Sequence, residues 1–265
     1  MKSWKKFWAK ACILSIACLF QPALASAAAK PEPSVVKAAE DVRVMSQEIA
    51  KAYFYIVRQV RVDRAKEDLK NGLAGLDRNI QMLTAGVEDK SLRNILLFMA
   101  FTRDEMRETL VKPYTRENGA LILDLSESLL EGAEAITQRY LNSDNAEESM
   151  LVVSGKMNFL LERMAKYYIA FVAGFKDENN IRQVDGAAAQ FEALLANVNA
   201  YKKYPPELQD RVQRLNEFWV IAKGFYLDIE NSALPATVFI SSDYLESTVQ
   251  KLVTYHLGKA AAPKS

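Results

Sequence analysis

The feature that most restricts the fold is an internal repeat. Val42–Ile56 reads VRVMSQEIAKAYFYI, and near position 160 the chain writes FLLERMAKYYIAF, with the same Ala-Lys step and aromatic run. An ungapped offset of about 115 residues carries Val42, Met45, Ile49, Ala52 and Ile56 onto Met157, Leu160, Met164, Tyr167 and Phe171, a period long enough for a whole supersecondary unit. The same offset lays Leu69, Leu73, Leu76, Ile80 and Leu83 on Val184, Ala188, Phe191, Leu195 and Val198. It also lays SESLLE, Ser126–Glu131, on SSDYLE, Ser241–Glu246. Only the third helix of each copy needs a small slip. One half of the chain must therefore fold much as the other does.

Each copy reads as helices. Val42, Met45, Ile49, Ala52 and Ile56 alternate three and four apart, as a buried helix face does. Ser46, Ala50, Tyr53, Val57 and Val60 form a second stripe beside them, so the apolar face is as wide as a bundle helix needs. Arg43, Gln47, Lys51 and Arg58 fall on the polar flank. This helix is expected to end near Val62, with Asp63 capping the next. A third runs from about Asp89 to Val111, stopped by Pro113, and a fourth from about Glu117 to Leu141. In the second copy Asp177–Asn180 reads as a loop and Pro205-Pro206 as a helix start. The best strand candidate, Thr237–Ile240, sits inside a helical pattern. The expected class is all-α: two tandem antiparallel four-helix bundles over residues 34–142 and 146–258, joined near Ser143-Asp144-Asn145. If the fourth helix runs almost straight into the fifth, the bundles stack end to end as an elongated rod.

Residues 1–25 read as a secretory signal peptide. Lys2, Lys5, Lys6 and Lys10 precede the short apolar run ACILSIACLF, and Ala23-Leu24-Ala25 is a small-x-small cleavage site. Both cysteines of the chain, Cys12 and Cys18, fall inside it. The mature chain is thus expected without disulfide, zinc–thiolate site or cysteine nucleophile. Loss of the leader lysines turns a formal charge of +1 slightly negative. No broad basic field is left to draw nucleic acid.

Catalytic groups are scarce. His256 is the one histidine, and Val253 stands where a di-iron Glu-x-x-His pattern needs Glu; it reads as a surface or cap residue. Gly-rich phosphate loops and metallohydrolase motifs are missing. Asp124, Glu127, Glu131 and Glu134 lie at helical spacing and read as a solvated face. The aromatics around Tyr53, Tyr167, Phe218 and Trp219 read as core. We expect no enzyme, no catalytic residues, no metal and no cofactor. Arg43, just before Ser46 and Gln47, reads from its chemistry alone as surface, though its planar fork suits an oxyanion.

The opening phrase resembles the first helix of the PilJ-type sensor domain. That domain is the extracytoplasmic part of the type IV pilus chemotaxis transducer and is related to the ligand-binding region of nitrate/nitrite sensor kinases. Copy two matches through Ser154, Gly155, Leu160, Arg163, Met164, Ala165 and Lys166, with Lys156 in place of Arg. Copy one matches through Arg43, Ser46, Gln47, Ala50 and Lys51. The resemblance, with the repeat, covers about residues 34–258. It implies an anion held by an Arg at a symmetric dimer interface between first helices. Arg43 occupies that position, with Ser46 and Gln47 beside it. Copy two has Asn158 there, with Lys156 and Arg163 nearby.

Receptors of that family continue into a second membrane helix and signalling modules, whereas this chain continues only into a short polar tail. The expectation is a periplasmic, sensor-type protein that binds a small ligand, works through a membrane-bound receptor or transducer, and dimerises through its first helices. A structural scaffold of the envelope or pilus machinery is the alternative.

Overall fold

The computed structural model describes residues 33–141, 145–231 and 233–261. The expected leader, with its two cysteines, and residues 143 and 144 of the expected junction lie outside them. Among the described residues there are eight α-helices and no strand. In the first copy they are α1 (Pro33–Val57), α2 (Val62–Gly86), α3 (Arg93–Leu110) and α4 (Arg116–Tyr140). In the second they are α5 (Ala146–Val172), α6 (Glu178–Ala200), α7 (Pro206–Leu227) and α8 (Pro235–Ala260). A single 3-10 turn, Lys90–Leu92, leads into α3. The class is all-α, and Thr237–Ile240 is helical within α8.

Local chemistry sets the helix ends. Thr115 caps α4 by accepting from the Asn118 amide, and Asn145 caps α5 by accepting from the Glu147 amide. Asp177, expected in a loop, caps α6 by accepting from the Asn180 amide. Pro205 precedes α7, with Pro206 in its first turn. Asp63 does not cap α2. It lies in the first turn, and Arg61 enters the helix in the left-handed region at φ 46°.

The ends of α1 and α5 repeat the same motif. Val60 N–H donates to Tyr55 O over 3.0 Å, and Phe175 N–H donates to Ala170 O over 3.0 Å. This is the six-to-one bond of a Schellman cap, which needs one left-handed residue. Gly174 supplies it at φ 109° in the second copy, and Gln59 must supply it at φ 56° in the first.

α1 packs against α2, α4 and α5, and α5 packs against α1, α6 and α8. α3 bridges α2 and α4; α7 bridges α6 and α8. α1 and α5 are thus the two central helices, and they run parallel. Glu40 faces Gly155, Arg43 stacks on Phe159 at 4.3 Å, and Lys51 bonds Glu162 at 2.9 Å. This corrects the end-to-end rod, because the two sets of helices meet side by side along α1 and α5. Two local reasons are visible. Leu141 is extended after α4, and Asn145 opens a new helix. The chain therefore turns back instead of running on.

Glu40 and Gly155 occupy equivalent positions of the repeat. A Cβ on Gly155 would stand 2.7 Å from Glu40 Oε2, so the large acid of one copy fits only against the missing side chain of the other. Aromatic residues extend the seam, with Phe54 edge-on to Phe175 at 5.5 Å and Tyr55 edge-on to Phe239 at 4.6 Å. Each such pair is worth about 0.5–1.5 kcal/mol beyond its buried area.

Candidate functional site

Of the expected polar flank of α1 only Arg58 is exposed. Arg43, Ser46, Gln47 and Lys51 are all buried, because α4 and α5 cover that side of the helix. Arg43 Nη1 donates to Glu40 Oε1 at 2.8 Å, and Thr137 Oγ1 donates to the same oxygen at 3.0 Å. Ser46 Oγ donates back to Arg43 O at 2.8 Å. Gln47 Nε2 donates to Ser126 O of α4 at 3.3 Å. Gln47 thus ties α1 to α4, and Ser46 bonds within α1; neither lines the cleft described next.

Two clefts flank the seam. The first is about 280 Å³ and lies between α1, α4, α5 and α6. Arg43, Lys156 and Arg163 all line it. Arg163 pairs with Glu127 at 2.7 Å and donates to Gln183 Oε1 at 2.8 Å. The buried Nε of Arg43 has no hydrogen-bond partner. Glu131 and Glu134 line the far wall, so part of the expected solvated acid face belongs to this cleft.

The second cleft is about 470 Å³ and lies between α1, α2, α5 and α8. It occupies the place that the repeat offset gives from the first. Arg43 becomes Asn158, Lys156 becomes Asp41, Arg163 becomes Glu48, and Glu131 becomes Glu246. Asn158, expected beside Lys156 and Arg163, therefore faces the other opening. One cleft sets three cationic side chains against Glu127, Glu131 and Glu134, and its counterpart presents five carboxylates with Lys37 and Arg64.

The repeated lysines sit behind these clefts. Lys51 Nζ lies 2.8 Å from Glu162 Oε2 and 3.6 Å from Glu246 Oε1. Burial alone would drive its ammonium towards neutrality, but Glu162, Glu246 and Glu48 override this and hold its pKa well above the usual value. One cation does not satisfy so many acids. Burial pushes Glu162 up to about 7 against the pull of Lys51. Burial pushes Glu48 up to about 7 as well, with Glu246 and Asp68 adding to it. Burial, with repulsion from Glu162, holds Glu246 well above the carboxylate range. Lys166 is the counterpart of Lys51. It donates to Ser126 Oγ at 3.1 Å and to Glu127. Burial pushes Lys166 down to about 8, with Glu127 opposing and Arg163 assisting.

His256, expected at the surface, is fully buried. Its Nε2 lies 2.9 Å from the Tyr204 hydroxyl, and its Nδ1 lies 2.9 Å from Glu147 Oε2. Tyr201 and Tyr255 pack edge-on to its ring. Both ring nitrogens are engaged, which makes it a satisfied core residue. Among the described residues no three His, Cys, Asp or Glu side chains are grouped to hold a metal ion. No described helix is long and apolar enough to cross a membrane.

No family model, no curated protein and no solved structure matches this chain.

Proposed function

We propose that this chain is a non-enzymatic, exported binding protein of the sensor type, which takes a small anion in the cleft lined by Arg43, Lys156 and Arg163. The observation that carries the reading is their convergence. Residues from equivalent phrases of the two copies, far apart in sequence, meet in one opening beside the α1–α5 seam. The PilJ-type resemblance implies an anion between paired first helices of two chains. Here α1 and α5 are the first helices of two copies in one chain, so the pairing is internal and no homodimer is required. The unpartnered Arg43 Nε and the Lys156 ammonium are the groups that would receive an oxyanion.

The proposed setting is periplasmic, in chemotaxis-like or two-component signalling through a membrane-bound receptor. An apolar strip supports a protein partner: Leu97, Phe98 and Phe101 of α3 are all more than half exposed. A scaffold role without ligand is the second reading. It is favoured by Arg43 already being engaged by Glu40 and stacked on Phe159.

Thermal melts against nitrate, nitrite and small carboxylates separate the two. An anion at a hundred times its dissociation constant stabilises by about 2.7 kcal/mol. Lys156→Gln should abolish that shift while leaving the unliganded melt unchanged. If no anion shifts the melt, or the variant responds like the parent, the anion site is wrong. Sedimentation should show a monomer that still binds.

A further inference from the structure

The acidic cleft is the unexplained counterpart of the one that gathers Arg43, Lys156 and Arg163. Three of its groups are acids clustered without enough counter-charge: Glu48, Glu162 and Glu246 face the single ammonium of Lys51. Arg64 helps Glu48 only weakly, being paired with Asp68 at 3.1 Å and Glu67 at 3.4 Å. Glu246 Oε1 is buried without a hydrogen-bond partner.

An independent observation points to a ligand with donors. Asn158 is only 8 % exposed, lines this cleft, and its Oδ1 is buried with no partner. A buried amide oxygen left unpaired is costly, so a native structure that keeps one has a use for it. The cleft is also elongated. Asp41 and Glu48 stand two helical turns apart on α1, ~10 Å along its axis. Val44 and Met45 line the wall between them. Asp41 is paired with Lys37 and keeps its second oxygen for another donor; acceptors at both ends with an apolar strip between them match a flexible aliphatic chain that carries cations. A compact metal ion is a poorer fit, since no metal-holding group of side chains occurs among the described residues.

We propose that the cleft between α1, α2, α5 and α8 binds a linear aliphatic diamine or polyamine. One ammonium sits among Glu48, Glu162 and Glu246, the methylenes lie on Val44 and Met45, and the second ammonium donates to Asn158 Oδ1 near Asp41. A dication supplies the charge that the three acids lack beyond Lys51. The site stands on the opposite side of the seam from the anion cleft and does not depend on it.

Binding should also move protons. Glu48 and Glu162 rest with pKa values near 7, and an arriving cation lowers both. Protons are therefore released on binding at pH 7. Lys37, Lys51, Arg64, Asp68 and Asp243 are the other charged groups from α1, α2 and α8 that line the cleft or face these acids.

Isothermal titration of the purified protein with putrescine and spermidine tests the proposal, run at pH 7 in phosphate and again in Tris. The expected result is saturable one-to-one binding whose heat differs between the buffers in the sense of proton release. n-Butylamine should bind at least tenfold more weakly than putrescine. Glu48→Gln and, separately, Asn158→Leu should each weaken putrescine at least tenfold, while Lys156→Gln in the opposite cleft leaves it unchanged. Circular dichroism confirms that the variants are folded, and two variants on different helices guard against the loss of one. No binding of either amine at millimolar concentration overturns the site. So does magnesium competing as well as putrescine, because that means a diffuse acidic field. Equal affinity for putrescine and n-butylamine overturns the two-ended pose.

Discussion

The two clefts beside the α1–α5 seam are built from equivalent positions, yet one balances three cations with three carboxylates and the other is acidic. Arg43, Lys156 and Arg163 line one; Asn158, Asp41 and Glu48 stand in their places in the other. The apolar register is the same in both copies, since either copy needs it to close its helices. The polar positions are free to diverge, provided that each buried charge still finds a partner. Arg43 finds Glu40 within its own copy, but the two repeated lysines find their partners across the seam. Lys51 of the first copy uses Glu162 and Glu246 of the second, and Lys166 of the second uses Glu127 of the first. Each cleft is therefore a joint product, and neither copy has a complete site alone.

The two lysines give the largest predicted contrast. Lys51→Met strands Glu162 and Glu246 in a buried place and should cost about 3–5 kcal/mol at pH 8. At pH 5 those acids are protonated and the loss should shrink. Lys166→Met should cost about 1–2 kcal/mol, because Glu127 keeps Arg163 and Lys166 is already partly neutral near its pKa of about 8. Urea unfolding at both pH values measures this. Equal losses for the two lysines would break the asymmetry of the clefts.

Rewriting copy one towards copy two should come next. Arg43→Asn leaves Glu40 buried with only Thr137 as a donor and should cost about 2–3 kcal/mol. Asn158→Ala removes an amide whose oxygen has no partner and should cost under about 1 kcal/mol. Chemical denaturation of both variants ranks them; a larger cost at Asn158 would mean that its amide is satisfied.

The acid cleft should also show in pH dependence. The folded pKa of Glu48 is about 7 against an ordinary 4.5, so the fold favours its protonated form. That stabilisation is complete below 4.5 and is lost as pH rises through 7. Glu48→Gln should therefore melt with the parent at pH 5 and above it at pH 8, by roughly 2–4 °C for each kcal/mol. His256 has its pKa lowered by burial, against Glu147, and acts in the other sense as pH falls. Its contribution cancels in the difference between parent and variant. A pH-independent difference would mean that Glu48 is ionised throughout.

The smallest predicted effect compares the helix ends. Gln59→Gly relieves a left-handed Gln and should gain up to about 1 kcal/mol; Gly174→Ala should lose about as much. Thermal melts that show no gain for the first would place the strain elsewhere.

Much of this architecture is legible in the residues. The three-four spacing of Met45, Ile49, Ala52 and Ile56 marks α1, Pro205-Pro206 marks the start of α7, and the repeat offset equates the copies. The site was less legible. The resemblance picks out Arg43, Lys156 and Arg163, but nothing in their spacing says that they share one opening. Glu162 and Glu246 carry no mark of a site, and His256 reads as a surface residue although it is buried. One signal for the lysines was present in the duplicated Ala-Lys step. A lysine repeated at the same register of two apolar helices is better explained by a fixed partner than by solvent.

Helix content and the two-fold repeat follow from the sequence alone, since propensity and periodicity are local and written within a few residues; the end of α1, expected near Val62, falls at Val57. Which side of α1 meets water does not. A helical wheel gives the angle of Lys51 but not what stands opposite it. Its counter-charge lies 111 residues away on α5. Only the lateral packing of α1 on α5 turned a polar flank into a buried seam, and that same packing decided which cleft each charge would face.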